Sequence, residues 1–213
     1  MSYDQNDAAI DEMYERIGEE LYPAHRAQAI GEFTAERLKS YYLAHPMVMR
    51  PAVDALQEAK RLKGNGHHAA AVVFCATTIE LFMKATLLQP IVYGLVHNDA
   101  LAGVIVKHVL GQTGFERYRK LLSRLFQELA ALDITALRRE GESVALIDES
   151  CRVQELRNAI VHSGQTCDAA SAQHALDVAV AVFDKIVVDV LWSIGVAVGE
   201  KGHIAPRQFA QQP

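Results

Sequence analysis

The chain has 213 residues, 50% of them hydrophobic and 22% charged, which places it among ordinary globular proteins able to bury the core of one domain. Its formal net charge of −5 and sequence pI near 6.0 exclude a global positive field, so RNA or DNA can be recruited only through a local patch. Three cysteines, Cys75, Cys151 and Cys167, form neither a CxxC pair nor a zinc-type His/Cys spacing, which fits a reduced, cytoplasmic compartment.

The first seven residues are polar and acidic and lack the basic-then-apolar layout of a secretory signal. No run of alternating β-branched residues bounded by turn signals follows, whereas helical spacing recurs throughout, so the expected class is all-α. Ile10, Met13, Ile17 and Leu21 predict an acidic helix over 7–21 that stops at Pro23. Ile30, Phe33, Leu38 and Tyr42 predict a second over 25–45, broken by Pro46 and Pro51. Residues 1–50 are thus read as an N-terminal helical extension, 51–196 as the main helical bundle and 197–213 as a mobile tail.

Within the bundle, Val53, Leu56, Ala59 and Leu62 give the helix after Pro51 an apolar face, and Gly64-Asn65-Gly66 turns it into an αα-hairpin. The next segment, 67–88, is apolar nearly all round and reads as a central buried helix ended by Pro90; Glu80 and Lys84 stand in it as an i, i+4 pair. Residues 91–114, with several glycines, read as a looser helical insertion. The amphipathic stretch 115–132 carries Arg117, Arg119, Lys120 and Arg124 near one side, either a solvated face or a contact for an RNA backbone. A polar loop over 163–171 leads to a long apolar helix, 172–196. The run from Val178 to Val198 is long enough to raise the membrane question, but Asp184, Lys185 and Asp189 interrupt it, and a core helix is expected, with no membrane partner.

Between these segments lies Glu155-Leu-Arg-Asn-Ala-Ile-Val-His162-Ser-Gly164, the stretch with the most pointed chemistry. At about 100° per residue, Val153, Leu156 and Ile160 form an apolar stripe, with Glu155, Asn158 and His162 on a polar stripe roughly opposite. Arg157 lies on the flank between them. Gly164 fits a C′ stop and leaves His162 in the last turn, where the negative end of the helix dipole favours imidazolium. On these grounds alone His162 complements the dipole, and Arg157 pairs with Glu155, Asp148 or Glu149.

Arg157-Asn158-Ala159-Ile160-Val161-His162 has the form R-N-x-x-x-H. It resembles the HEPN superfamily of helical-bundle domains, whose catalytic members carry an R-x4-6-H motif, often with a polar residue directly after the arginine. The layout over 51–196 is similar too: an αα-hairpin whose apolar second helix contains Glu80, an insertion, the motif helix, and a long terminal apolar helix. The resemblance implies a metal-independent endoribonuclease without cofactors, acting as a homodimer whose two motif helices build one composite site. His162 would move a proton, Arg157 would stabilise charge developing on phosphorus, and Asn158 would orient the imidazole or bind a phosphate oxygen. Attack by the RNA's own 2′-hydroxyl would leave a cyclic phosphate and a 5′-hydroxyl. Glu80 is carried over as a supporting residue, because family members often hold an acidic residue in that helix close to the motif.

The same resemblance leaves open a toxin role with a neutralising partner protein, or a role in defence against phage; the alternative is a non-catalytic module binding a nucleotide or a partner protein through the same cleft. In a subset of the family a tyrosine two positions after the histidine receives an inactivating nucleotidyl group; here that position is Gly164. Other chemistries find little footing. No base stands at nucleophile-elbow spacing from Ser163 or at Cys/His spacing from the cysteines. His67 and His68 are adjacent rather than i, i+4, which spoils a helical zinc pair. Gly64-Asn65-Gly66 lacks the flanking strand and Lys-Ser/Thr of a phosphate loop.

Overall fold

A computed structural model describes residues 5–96, 98–107, 119–130 and 132–209. They form an all-α bundle closed by one small hairpin. Helix α1 (Gln5–Ala44) is followed by α2 (Arg50–Gly64), α3 (His68–Leu81), a π-helical stretch (Phe82–Leu88), α4 (Gln89–Leu95), α5 (Asp99–Ile105) and α6 (Arg119–Ala130). Then come α7 (Leu146–Ser163), α8 (Ala169–Val182), a second π-helical stretch (Phe183–Val187), α9 (Val188–Ser193), β1 (Val196–Val198) and β2 (Ile204–Pro206).

Helix α3 sits at the centre because it has no polar face to give to solvent. It packs on α2, α7 and α8, and Ala71, Val72, Cys75, Ala76 and Ile79 are all at most 2% exposed. Thr77 and Thr78 are tolerated there because their hydroxyls donate to the carbonyls of Val73 and Phe74, at 2.9 and 2.8 Å. The run His68–Gly94 is long and apolar enough to cross a membrane, with a mean hydropathy of 1.7, yet 61% of its most apolar window is buried inside the fold. The later run behaves in the same way, with Val178, Val182, Ile186, Val187 and Leu191 fully buried.

Two prolines expected to stop helices do not. Helix α1 runs through Pro23 as one helix of 40 residues; the neighbours Leu21, Ala24 and Ala27 are strong helix formers, and the proline removes a single backbone donor. Pro90 likewise lies inside a helical run, at the start of α4. In a regular α-helix the Thr86 carbonyl would accept the N–H of residue 90, which proline lacks. The π-helical stretch shifts the pairing to i→i+5, with the Gln89 N–H on the Lys84 carbonyl, and the Tyr42 hydroxyl donates to the Thr86 carbonyl at 2.5 Å. Burial pushes Tyr42 far above the ordinary phenol pKa, so it remains a donor. The second π-helical stretch interrupts the long helix expected over 172–196, and Phe183 within it meets Phe82 of the first, with ring centroids 5.4 Å apart.

Other boundaries also move. Helix α8 begins at Ala169 because Asp168 caps it, accepting the Ser171 N–H at 2.8 Å. In the expected insertion, 91–95 continues the preceding helical run as α4, and Asn98 caps α5 by accepting the Leu101 N–H at 3.1 Å; residues 97 and 108–114 lie outside the described residues. The tail expected over 197–213 is structured as far as it is described. Strands β1 and β2 pair antiparallel, Val196 and Ile204 are buried, and the Ile204 N–H donates to the Pro46 carbonyl at 2.8 Å. Gly202 allows this seating: its φ is +76°, and a Cβ there would lie 2.9 Å from Val53 Cγ2. Strands of three residues are too short to leave a period-2 signature. Residues 210–213 lie outside the described residues.

Helix α1 spans about 60 Å at 1.5 Å per residue, and it enters the core through Leu38 and Tyr42 near its C-terminal end. Residues 1–20 hold seven carboxylates and one arginine, a charge of −6 within the total of −5, which leaves the rest of the chain at +1.

Replacing Tyr42 by Phe leaves the Thr86 carbonyl short of its side-chain donor. The unfolding free energy should fall by about 1–3 kcal/mol in urea titration, with helicity by circular dichroism unchanged; an unaltered midpoint would show that the carbonyl is satisfied without Tyr42.

Candidate functional site

Helix α7 is anchored along one side and open along the other. Val153 is buried, while Leu156 and Ile160 are half-buried against the core. Glu155, Asn158 and His162 are exposed, as the helical wheel requires. The helix starts with Asp148 and Glu149 in its first turn, where they complement the dipole. It ends as expected at Gly164, with φ +65°. The Gly164 N–H reaches the Ile160 carbonyl at 3.2 Å, the 5→1 bond of an αL cap, and the Gln165 N–H reaches the Ala159 carbonyl at 3.3 Å. His162 stands exposed in that turn.

Arg157 Nη1 donates to Asn158 Oδ1 at 2.9 Å. Asn158 therefore orients the guanidinium within the protomer, rather than the imidazole. Two of the three plainer partners foreseen for Arg157 are engaged elsewhere: Asp148 Oδ1 takes Arg119 Nη2 at 2.7 Å, and Glu149 takes Arg139. Glu80 accepts from Lys84 Nζ at 2.6 Å, the intrahelical pair foreseen, and Gln154 Nε2 reaches its second oxygen at 3.4 Å. Glu80 thus touches the motif helix one turn before Arg157, while Gln154 Oε1 is buried with no hydrogen-bond partner.

The basic helix contributes a separate surface. Lys120 and Arg124 are exposed and, with Arg119, Ser123 and Thr135, line an open cleft of about 900 Å³. The salt bridge from Arg119 to Asp148 ties this surface to the first turn of α7. Arg117 lies outside the described residues.

A second set of residues was not singled out by their sequence. Arg139 grips the buried Glu149 through two hydrogen bonds, at 2.9 and 2.6 Å. Its Nη2 also lies 3.3 Å from His174 Nδ1. The same Nη2 reaches Glu142 Oε1 at 3.3 Å, and His174 Nε2 lies 4.0 Å from Glu149 Oε1. His174 in turn lines a cleft of about 380 Å³ between α7 and α8, together with Arg152, Val153, Leu156 and Ser171. Arg157, Asn158 and His162 are not among the residues that line it. The one hint in the sequence is a polar stripe on α8, Ser171, His174 and Asp177 at i, i+3 and i+6, in a helix whose one further polar residue is Gln173.

Among the described residues no three His, Cys, Asp or Glu side chains gather as metal ligands. Cys75 is buried, which pushes its thiol up to about 12, and burial also raises Cys167. Compared with protein-family models, with curated proteins and with solved structures, the chain shows no significant match.

Removing Arg139 leaves Glu149, whose side chain is 3% exposed, without its counter-charge. Arg139→Ala should cost about 3–5 kcal/mol in denaturant unfolding, and Arg139→Met with Glu149→Leu should recover most of it. A loss as large in the double variant as in Arg139→Ala would show that packing, not the orphaned charge, carries the cost.

Proposed function

We propose that this protein is a metal-independent endoribonuclease of the HEPN type, with Arg157 and His162 as its catalytic pair, acting in the cytoplasm as a toxin or phage-defence effector. The observation that carries the reading is the end of α7. A basic residue oriented by its neighbour and an exposed imidazole stand on one solvent-facing helix end, rigidly closed by Gly164.

The chemistry needs little more. The 2′-oxygen attacks phosphorus as its proton leaves, the bond to the 5′-oxygen breaks, and that oxygen takes up a proton; the products are a 2′,3′-cyclic phosphate and a 5′-hydroxyl. His162 serves one of the proton transfers, and Arg157 stabilises the charge on the phosphorane oxygens. Asn158 holds the guanidinium in place, and Glu80 bears on the same helix through Gln154. Lys120 and Arg124 offer phosphate contacts along the α6 cleft.

Arg157 and His162 are about 140° apart on the helix, so a single α7 does not aim both at one phosphorus. Two copies across a two-fold axis would let Arg157 of one protomer meet His162 of its partner. Val161, 49% exposed on the same flank, is an apolar group that such a seam would cover. Purified protein should cleave RNA as well in EDTA as without it. His162→Ala should slow cleavage by about a hundredfold or more, with helicity and oligomeric mass unchanged. Equal cleavage by wild type and variant would sink the reading.

The α7/α8 cleft favours a second reading, a non-catalytic module for a nucleotide. Its floor is apolar and small-residued, Arg152 offers a cation for phosphate, and His174 Nε2 and Ser171 offer polar groups to the edge of a base. In that case RNA stays intact on incubation, and Arg152→Ala weakens nucleoside monophosphate binding in calorimetry by about tenfold; unaltered binding would remove the cleft from consideration.

A further inference from the structure

Outside α7 and its surroundings, one face of α1 carries a pattern that the motif does not use. Phe33, Arg37 and Tyr41 recur at i+4 along the last turns of the helix, and His45 follows just past its end, so four planar groups succeed one another. They face α4 across a cleft of about 400 Å³. That is a volume within the ordinary range for small-ligand sites. Tyr93 of α4 stacks on Tyr41 with ring centroids 5.7 Å apart and an interplanar angle of 24°, and His45 lies 4.5 Å from the same ring. The Arg37 guanidinium sits over the Phe33 ring at 5.4 Å. Gly94 brings α4 close: a Cβ there would come within 3.1 Å of Leu38 Cδ2.

Packing explains the inner half of this row and not the outer half. Tyr41 and Tyr93 hold α1 against α4, and burial raises the Tyr41 hydroxyl pKa. Phe33, by contrast, is 56% exposed, and its ring lies under the guanidinium of Arg37. Ser40, Arg37 and His45 supply hydrogen-bonding groups at the cleft's rim, and the carboxylate of Glu36 is partly neutralised by Lys39 Nζ at 3.5 Å. Flat faces, a cation and a few polar edges are what an unpaired nucleobase with its phosphate requires.

We infer that the cleft between α1 and α4 binds an unpaired nucleobase of single-stranded RNA, stacked beside Phe33 with its phosphate near Arg37. This rests on the ribonuclease reading for its ligand class and deepens it, because bases must be unstacked to enter. A duplex presents no free base face and is excluded from the cleft.

The test separates the two readings by using a strand that cannot be cleaved through its own 2′-hydroxyl. A fluorescently labelled, single-stranded 2′-O-methyl oligoribonucleotide lacks the nucleophile, so anisotropy with the full-length wild-type protein reports binding alone. Phe33→Ala should weaken binding about tenfold without moving the melting temperature, since the ring is exposed, and Phe33→Trp should restore it. The same strand annealed to its complement should bind more weakly. Equal affinity of wild type and Phe33→Ala, or equal affinity for strand and duplex, overturns the inference whatever the cleavage assay gives. Phe33-dependent binding by a protein that leaves ordinary RNA intact upholds it and removes the ribonuclease reading instead.

Discussion

The Thr86 carbonyl, deprived of its helical partner by Pro90, is the point on which much of the architecture turns. Left alone in the core, such a group would cost the full desolvation of an unmade hydrogen bond. Tyr42 supplies the missing donor, and to do so the C-terminal end of α1 must lie across the helical run that continues into α4. That docking fixes where α1 leaves the bundle and lines up Tyr41 with Tyr93. The π-helical stretch that accommodates the proline also places Phe82 against Phe183, the matching irregularity in the last long helical run. Two departures from regular geometry thus support one another across the core, where each alone would be a defect.

Helix α7 inherits its precision from the same core. Its inner stripe packs on α3 and α8, while the hydrogen bonds beyond Gly164 close its last turn. The exposed groups at its end ride on a backbone that has little freedom. Precision of this kind matters for chemistry, because a catalytic side chain on a loose support loses most of its effect. At the other end of the helix, the contact of Arg139 with Glu149 ties the loop before α7 to its first turn and brings the guanidinium to within 3.3 Å of His174 Nδ1. Toward each end of the helix one charged group is held by a neighbour, Glu149 by Arg139 and Arg157 by Asn158.

Much of this was legible in the sequence. The apolar and polar stripes of α7 and the glycine stop follow from spacing alone, and so does the turn after α2, because they depend on neighbours three or four residues away. The i, i+4 partnership of Glu80 and Lys84 is of the same kind. What the sequence concealed depends on distant residues. Pro90 breaks a helix only if nothing else satisfies the freed carbonyl, and the rescuing Tyr42 lies more than forty residues earlier. The cleft of Arg152, Ser171 and His174 assembles from two helices that share no local pattern. The closing hairpin escaped notice because its strands are held by Pro46, Gly195 and the side of α2 rather than by their own composition. The role of Asn158 escaped because the wheel gives the direction of a side chain and not its choice between two neighbours.

The uneven charge of the chain gives the long first helix a bearing on how the molecule meets other molecules. The bulk figure of −5 describes neither of its parts: the first twenty residues hold −6, and everything after them sums to +1. The charge is therefore uneven along the chain: it is concentrated before and within the first half of α1, and the sequence that follows is close to neutral. A polyanion approaching through solvent is repelled by the acidic first twenty residues and far less by the rest of the chain, where Lys120, Arg124 and Arg152 are exposed. Added salt, by shortening the reach of the field, would level that difference.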